Sequence, residues 1–152
     1  MKGMVVSGEV RIEGTRVAVW SVVSDVDRWA KIIKGVKQIE VIACPTVGIS
    51  GLRWKETRLL FDKPETVEKR VTESTEQEFF TTRAEQDGFL FTATLRLTDQ
   101  GSGVLLTSSH RTAPQTMAAR WRSLPLFLFK GLIRKALLED LTDIKEAVEG
   151  SL

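Results

Sequence analysis

The stretch "LPLFLFKGLIRKALLEDLTDIKEAVEG", residues 124–150, constrains the fold more than any other part of the chain. Leu126, Phe129, Ile133, Leu137, Leu141, Ile144 and Val148 follow one another at steps of three or four, which draws a continuous apolar stripe along a helix. Pro125 suits the first turn of that helix, where its missing N–H removes no bond. The second half is polar on its other face through Lys135, Glu139, Asp143 and Glu146. The first half is not, because Phe127, Leu128 and Leu132 are apolar well off the stripe. Such a helix must cover something, and at its start it must do so on more than one side.

What precedes it reads as the thing to be covered. "VVSGEVRI" (5–12) alternates as a first strand. Thr15 is an N-cap candidate for "RVAVWSVVSD", with Val17, Val19, Trp20 and Val23 as its apolar positions. Ser24 or Asp25 can cap a second short helix that places Val26, Trp29 and Ile33 on one face and gives out at Lys34-Gly35. Strands then follow: "VKQIEVIA", "GLRWKETRLLF", "ETVEKRVT", "EQEFFTTRAE", "FLFTATLRLT" and "VLLTSSHRT". The punctuation falls at Asp62-Lys63-Pro64, near Glu73-Ser74-Thr75, at Asp87-Gly88 and in "DQGSG". Short strands joined by turns predict an antiparallel meander rather than alternating parallel units. One curved sheet cannot bury its concave face alone, and the terminal helix is the available cover. The expected class is α+β, in a single domain over residues 1–152 that buries roughly 70% of its unfolded surface.

That order of elements, with "VWSVVSDVDRWAKIIKGVKQIEVI" and "GISGLRWKET", resembles the START-type helix-grip superfamily. More narrowly it resembles the polyketide cyclase/dehydrase and lipid-transport branch, the SRPBCC proteins. The cues are a tryptophan before a short helix ends, a Gly-x-x-Gly turn at Gly48 to Gly51, an alternating strand after it, and a terminal helix. The resemblance implies a seven-stranded curved antiparallel sheet around a long C-terminal helix, with two short helices closing one end. It also implies a cavity between sheet and helix for an apolar or amphipathic ligand. No shared catalytic residue comes with the family, so no catalytic residue is assigned here.

Several functions are disfavoured by counts alone. Cys44 is the one cysteine and His110 the one histidine, which leaves no multi-thiolate or His-rich metal site, and no metal is expected. With 22 Lys and Arg against 20 Asp and Glu there is no broad electrostatic case for nucleic acid. The glycines of "GISG" lack the spacing and helix for phosphate, and no cofactor is expected. "MKGMVVSGEVRIEG" has no long apolar run, so the expected location is cytoplasmic.

Strand alternation sorts the candidates for ligand contact. Phe89, Phe91, Ala93, Leu95 and Leu97 share the more apolar face of their strand. Ala93 either opens a cavity among bulky neighbours or admits the helix backbone. Trp54, Glu56 and Arg58 share a face, so Glu56 and Arg58 either hold a polar ligand group or neutralise each other. Phe79 and Phe80 leave the facing of their strand open. Trp29 either anchors the short helices, its N–H finding a partner near the rim, or touches ligand. His110 is a polar contact or a solvent-tipped strand end, and Cys44 reads as a buried small residue. The expected lining is Trp54, Phe79, Phe89, Phe91, Ala93, Leu106, Phe129 and Ile133, with Glu56, Arg58 and His110 as polar contacts.

The leading functional expectation is binding of an apolar or amphipathic small molecule, lipid-like or polyketide-like. A cyclase or dehydratase using Glu56 or His110, and a protein-interaction module or homodimer built on Phe127, Leu128 and Leu132, are the alternatives. "TAPQTMAARWRSLPLFLF" adds Met117 and Trp121 beside Arg120 and Arg122. It reads either as a lid over the cavity entrance that docks on membranes or on an acidic partner, or as a connecting helix packed against the sheet edge.

Overall fold

Thr15 begins the folding logic of the amino-terminal part. Its hydroxyl accepts from Ala18 N at 3.1 Å and starts α1 (Arg16–Val23) directly after β1 (Met4–Glu13). Val19, Trp20, Val22 and Val23 turn inward, while Val17 is exposed. Neither expected cap of the next helix is used. Ser24 Oγ bonds back to Trp20 O at 2.6 Å and the Asp25 side chain caps nothing. The chain therefore enters a 3-10 turn (Val26–Arg28) before α2 (Trp29–Ile32), yet Val26, Trp29 and Ile33 are all buried. The structure, a computed structural model, describes residues 3–60, 62–122 and 128–150.

Six strands follow: β2 (Val36–Ala43), β3 (Arg53–Leu60), β4 (Lys63–Thr75), β5 (Phe79–Gln86), β6 (Phe89–Gln100) and β7 (Gly103–Pro114). With β1 they form one antiparallel sheet in the order β1-β7-β6-β5-β4-β3-β2. Asp87 and Gly88, both at positive φ, close a two-residue turn between Gln86 and Phe89. Two turns fall elsewhere than expected. Leu60 pairs with Lys63, so Lys63 and Pro64 already belong to β4, beyond the stretch that pairs with β5. Glu73-Ser74-Thr75 also stay in β4, which absorbs an irregularity between Val71 and Glu73 and turns only after Thr75. Cys44, expected to be buried, is exposed.

After β7 come α3 (Met117–Arg122) and α4 (Lys130–Glu149), the latter laid across the concave face. The sheet admits it closely at Gly8, where an added Cβ would lie 2.7 Å from Leu138 and 2.9 Å from Leu137. Leu137, Leu141, Ile144 and Val148 are sealed, completing a core with Ile12, Trp20, Trp54, Phe80 and Leu106. Leu126, Pro125 and Phe127 lie outside the described residues. The fold is α+β helix-grip, with the seven strands and long helix expected of it. Among the described residues no helix is long and apolar enough to cross a membrane.

Candidate functional site

The concave face is built in cross-strand rows. Phe80, Leu95, Ser108 and Gly8 form one row, and Thr82, Ala93, His110 and Val6 the next. Gly8 lets α4 come down on its row, and Ala93 withholds bulk from the other. Between them, under α4, is a cavity of about 60 Å³. Trp29 and Ile33 enter its wall from the α2 end, and Trp54, Arg58 and Lys69 from β3 and β4. Both rows contribute Phe80, Thr82, Ala93, Leu95, Ser108 and His110, and α4 contributes Leu137, Asp140, Leu141 and Ile144. Ala93 opens this space, and the close approach of the helix is made at Gly8 instead.

One end of the cavity is a charged cluster. Glu56 is 2% exposed, and its Oε2 accepts from Arg58 Nε at 2.7 Å and Lys69 Nζ at 2.9 Å. Its Oε1 accepts from Trp54 Nε1 at 3.3 Å. Arg58 then reaches α4, donating from Nη1 and Nη2 to the two oxygens of Asp140 at 3.2 and 2.8 Å. Burial alone pushes the Glu56 carboxyl up, but the adjacent Lys69 and Arg58 charges outweigh it and hold Glu56 at about 2. Asp140 is raised, by burial first, against the pull of Arg58. Burial, assisted by the Lys69 and Arg58 charges, lowers His110 to about 4. At neutral pH the imidazole is therefore uncharged, while two cations face two carboxylates.

The other polar feature is a donor without an acceptor. Trp29 meets Trp54 edge-on, ring centroids 5.7 Å apart, and its Nε1 is buried with no hydrogen-bond partner among the described residues. The rim partner expected for this N–H is not found among the described residues. An orphaned buried donor costs about 1–3 kcal/mol, and the residue that carries it stands in the cavity wall.

Of the residues nominated from sequence, the structure brings Trp54, Arg58, Ala93 and His110 to the cavity wall. Glu56 sits behind that wall as the hub of the ion pairs. The other six do not line it. Phe79 faces the opposite side of β5, under the Arg96 guanidinium at 4.6 Å, and Phe80 takes the inward place. Phe89 and Phe91 meet at a tilt beyond the Ala93 row, ring centroids 6.1 Å apart, with Phe91 36% exposed. Leu106 is wholly buried in the core. Ile133 packs on the core's edge, and Phe129 is exposed. Lys69 and Asp140 were missed, although both left a trace. Lys69 alternates with Val67 and Val71 on β4, and Asp140 sits three and four residues from Leu137 and Ile144 on the buried stripe.

Among solved structures, a Thermus thermophilus protein superposes with a TM-score of 0.81 at 15% identity, covering 97% of this chain and 99% of its own. A START superfamily protein from Mycobacterium smegmatis gives 0.80 at 16%, with 97% and 99% coverage. The Zhui aromatase/cyclase from Streptomyces sp. R1128 gives 0.79 at 14%, with 97% and 94% coverage. These likenesses establish the fold. No curated protein matches the sequence. A family model described as polyketide cyclase/dehydrase and lipid transport matches residues 4–149, and the chain belongs to that family.

Proposed function

We propose that the protein binds a small amphipathic molecule, lipid-like or polyketide-like, between the sheet and α4. Its apolar body rests against Ile33, Phe80, Leu95 and Leu141, and an acceptor oxygen takes up the Trp29 N–H. The observation that carries this reading is the imbalance of the cavity's polar groups. Glu56 and Asp140 are already engaged by Arg58 and Lys69, whereas the Trp29 donor has no partner among the described residues. A ligand rich in acceptors and without net charge suits such a wall. The reading also accords with the family and with an aromatase/cyclase among the structural neighbours.

The cavity holds only a few waters at 60 Å³, whereas sites for drug-sized ligands span about 300–1,000 Å³. Binding must therefore select a wider state, in which the start of α4 lifts from the sheet. An enzymatic reading would draw on Asp140, whose carboxyl burial raises within the cavity wall. The two groups nominated from sequence serve it poorly, because Glu56 at about 2 and His110 at about 4 do not change protonation near neutral pH.

Native mass spectrometry of freshly purified protein, compared with the denatured mass, is the test. The expected result is a reproducible mass excess that disappears on denaturation. Trp29→Phe, which keeps the ring and removes the donor, should retain about a tenth as much of the bound molecule. A wild-type spectrum without any excess, together with no binding of naphthols by calorimetry, would sink the proposal.

A further inference from the structure

α3 and the start of α4 lie at one end of the molecule, with the β5–β6 turn. Gln115 N donates to Gly88 O at 2.7 Å, which fixes the entry to α3 beside that turn. Thr116 caps α3 through Ala119 N, and Ala119 is the residue it buries. α4 packs on Gly8 at Leu137 and Leu138, and its far end reaches Glu13, where Glu149 accepts from the backbone N–H. Its first turns therefore extend past Gly8 toward Met4, which pairs with Thr112 at this same end.

What this end presents is apolar and cationic. Leu128 is 84% exposed, Trp121 70%, Met117 64% and Leu132 57%. From Gln100 to Leu138 the chain contains no Asp or Glu, while Arg111, Arg120, Arg122, Lys130, Arg134 and Lys135 fall within that span. The rest of the chain carries all twenty carboxylates beside the other sixteen Lys and Arg, so this span is basic while the remainder is nearly balanced. Asp62 and Asp87 sit in the hairpin turns nearby, not on the two helices. Bulky apolar side chains projecting among cations are what an anionic bilayer surface takes up, with the rings and leucines in the interface and the cations at the headgroups.

We propose that this end of the molecule, α3 with the first turns of α4, docks on an anionic lipid surface. The surface stands apart from the cavity and does not depend on what the cavity holds. Trp121 is also a built-in reporter, because Trp20, Trp29 and Trp54 are all buried.

The test is flotation of the full chain with phosphatidylcholine vesicles, with and without about 30% phosphatidylglycerol, at about 50 mM salt. Binding is expected only with the anionic lipid, accompanied by a blue shift of Trp121 emission. Lys130→Glu with Arg134→Glu should weaken it about 30-fold or more, each cation near the surface being worth about fivefold. Trp121→Ala should weaken it about tenfold. Val47→Asp, at an 86% exposed site outside this end, should leave it unchanged. No flotation of the wild type, or flotation that Trp121→Ala and the charge reversals leave intact, would overturn the proposal. So would light scattering that shows a dimer broken by Leu128→Ser, since the surface would then belong to a second copy of the chain.

Discussion

The two halves of α4 are similar in apolar content and opposite in fate. From Leu137 onward the stripe is sealed, with Leu137, Leu141, Ile144 and Val148 each at most 5% exposed. Before it, Leu128 and Leu132 face outward, and Phe129 is more than a third exposed. The sealed half also has polar ties to the rest of the fold. Asp140 holds Arg58, Asp143 accepts from the Lys34 backbone at 2.9 Å, and Lys145 Nζ donates to Arg11 O at 2.7 Å. Among the described residues no ion pair does the same for Lys130 or Arg134. A stripe at helical spacing thus specifies which face of a helix is apolar, while the depth of the sheet beneath decides which part of that face is buried. The anchored half serves stability, and the unanchored one is left available for the entry and docking proposed above.

The largest test of this contrast is a pair of truncations at matched chemistry. Leu141→Ala should destabilise the protein by about 2–5 kcal/mol, because the sealed site cannot collapse around the lost methyls. Leu132→Ala should change stability by no more than about 0.5 kcal/mol. Urea unfolding of both variants measures the two values. Equal losses would mean that the start of α4 is as firmly packed as its end.

The second test concerns how dry the cavity beneath the helix is. His110 is held near 4 by burial and by Lys69 and Arg58, against an ordinary value of 6.5. Below pH 6.5 the unfolded chain takes up a proton that the folded imidazole refuses, so stability is full above that pH. It should fall by up to about 3 kcal/mol on approach to pH 4. Glu56, whose folded value is depressed, adds a further loss between about 4.5 and 2. His110→Gln should abolish the first slope and leave the second. A wild type without a slope between pH 6.5 and 4 would mean that water reaches His110, with the start of α4 open most of the time.

Much of this architecture was legible in the sequence, because its signals are local. Thr15, Asp87-Gly88 and the period from Leu137 to Val148 each specify their element through nearby backbone and side chains. The cavity is different, because it depends on which residues meet across strands. Phe79 and Phe80 are equivalent in the sequence, and only pairing of Thr82 with Ala93 and of Ala93 with His110 decides that Phe80 turns inward. Trp54, Glu56 and Arg58 were found because one strand carries all three. Lys69 and Asp140 complete their charges from a neighbouring strand and from a helix 82 residues away from Arg58. The two phenylalanines away from the cavity have the same origin: Phe79 has outward parity, while Phe91 shares the inward parity of Ala93 yet is 36% exposed.

The smallest effect, and the one that separates entry from docking, is expected at Gly131. It lies in the first turn of α4, and a Cβ added there would meet nothing within 4 Å. Gly131→Ala should therefore stabilise the protein by about 0.5 kcal/mol, mostly by restricting the unfolded chain. Amide exchange should slow from Lys130 to Arg134 and stay unchanged from Leu141 to Val148. Vesicle binding should be unaffected, because no docking side chain is altered. If release of a molecule found to co-purify slows as this turn stiffens, the loose start of α4 is the route into the cavity. If release is unchanged, the ligand passes elsewhere, and the exposed half of the helix is a docking surface alone.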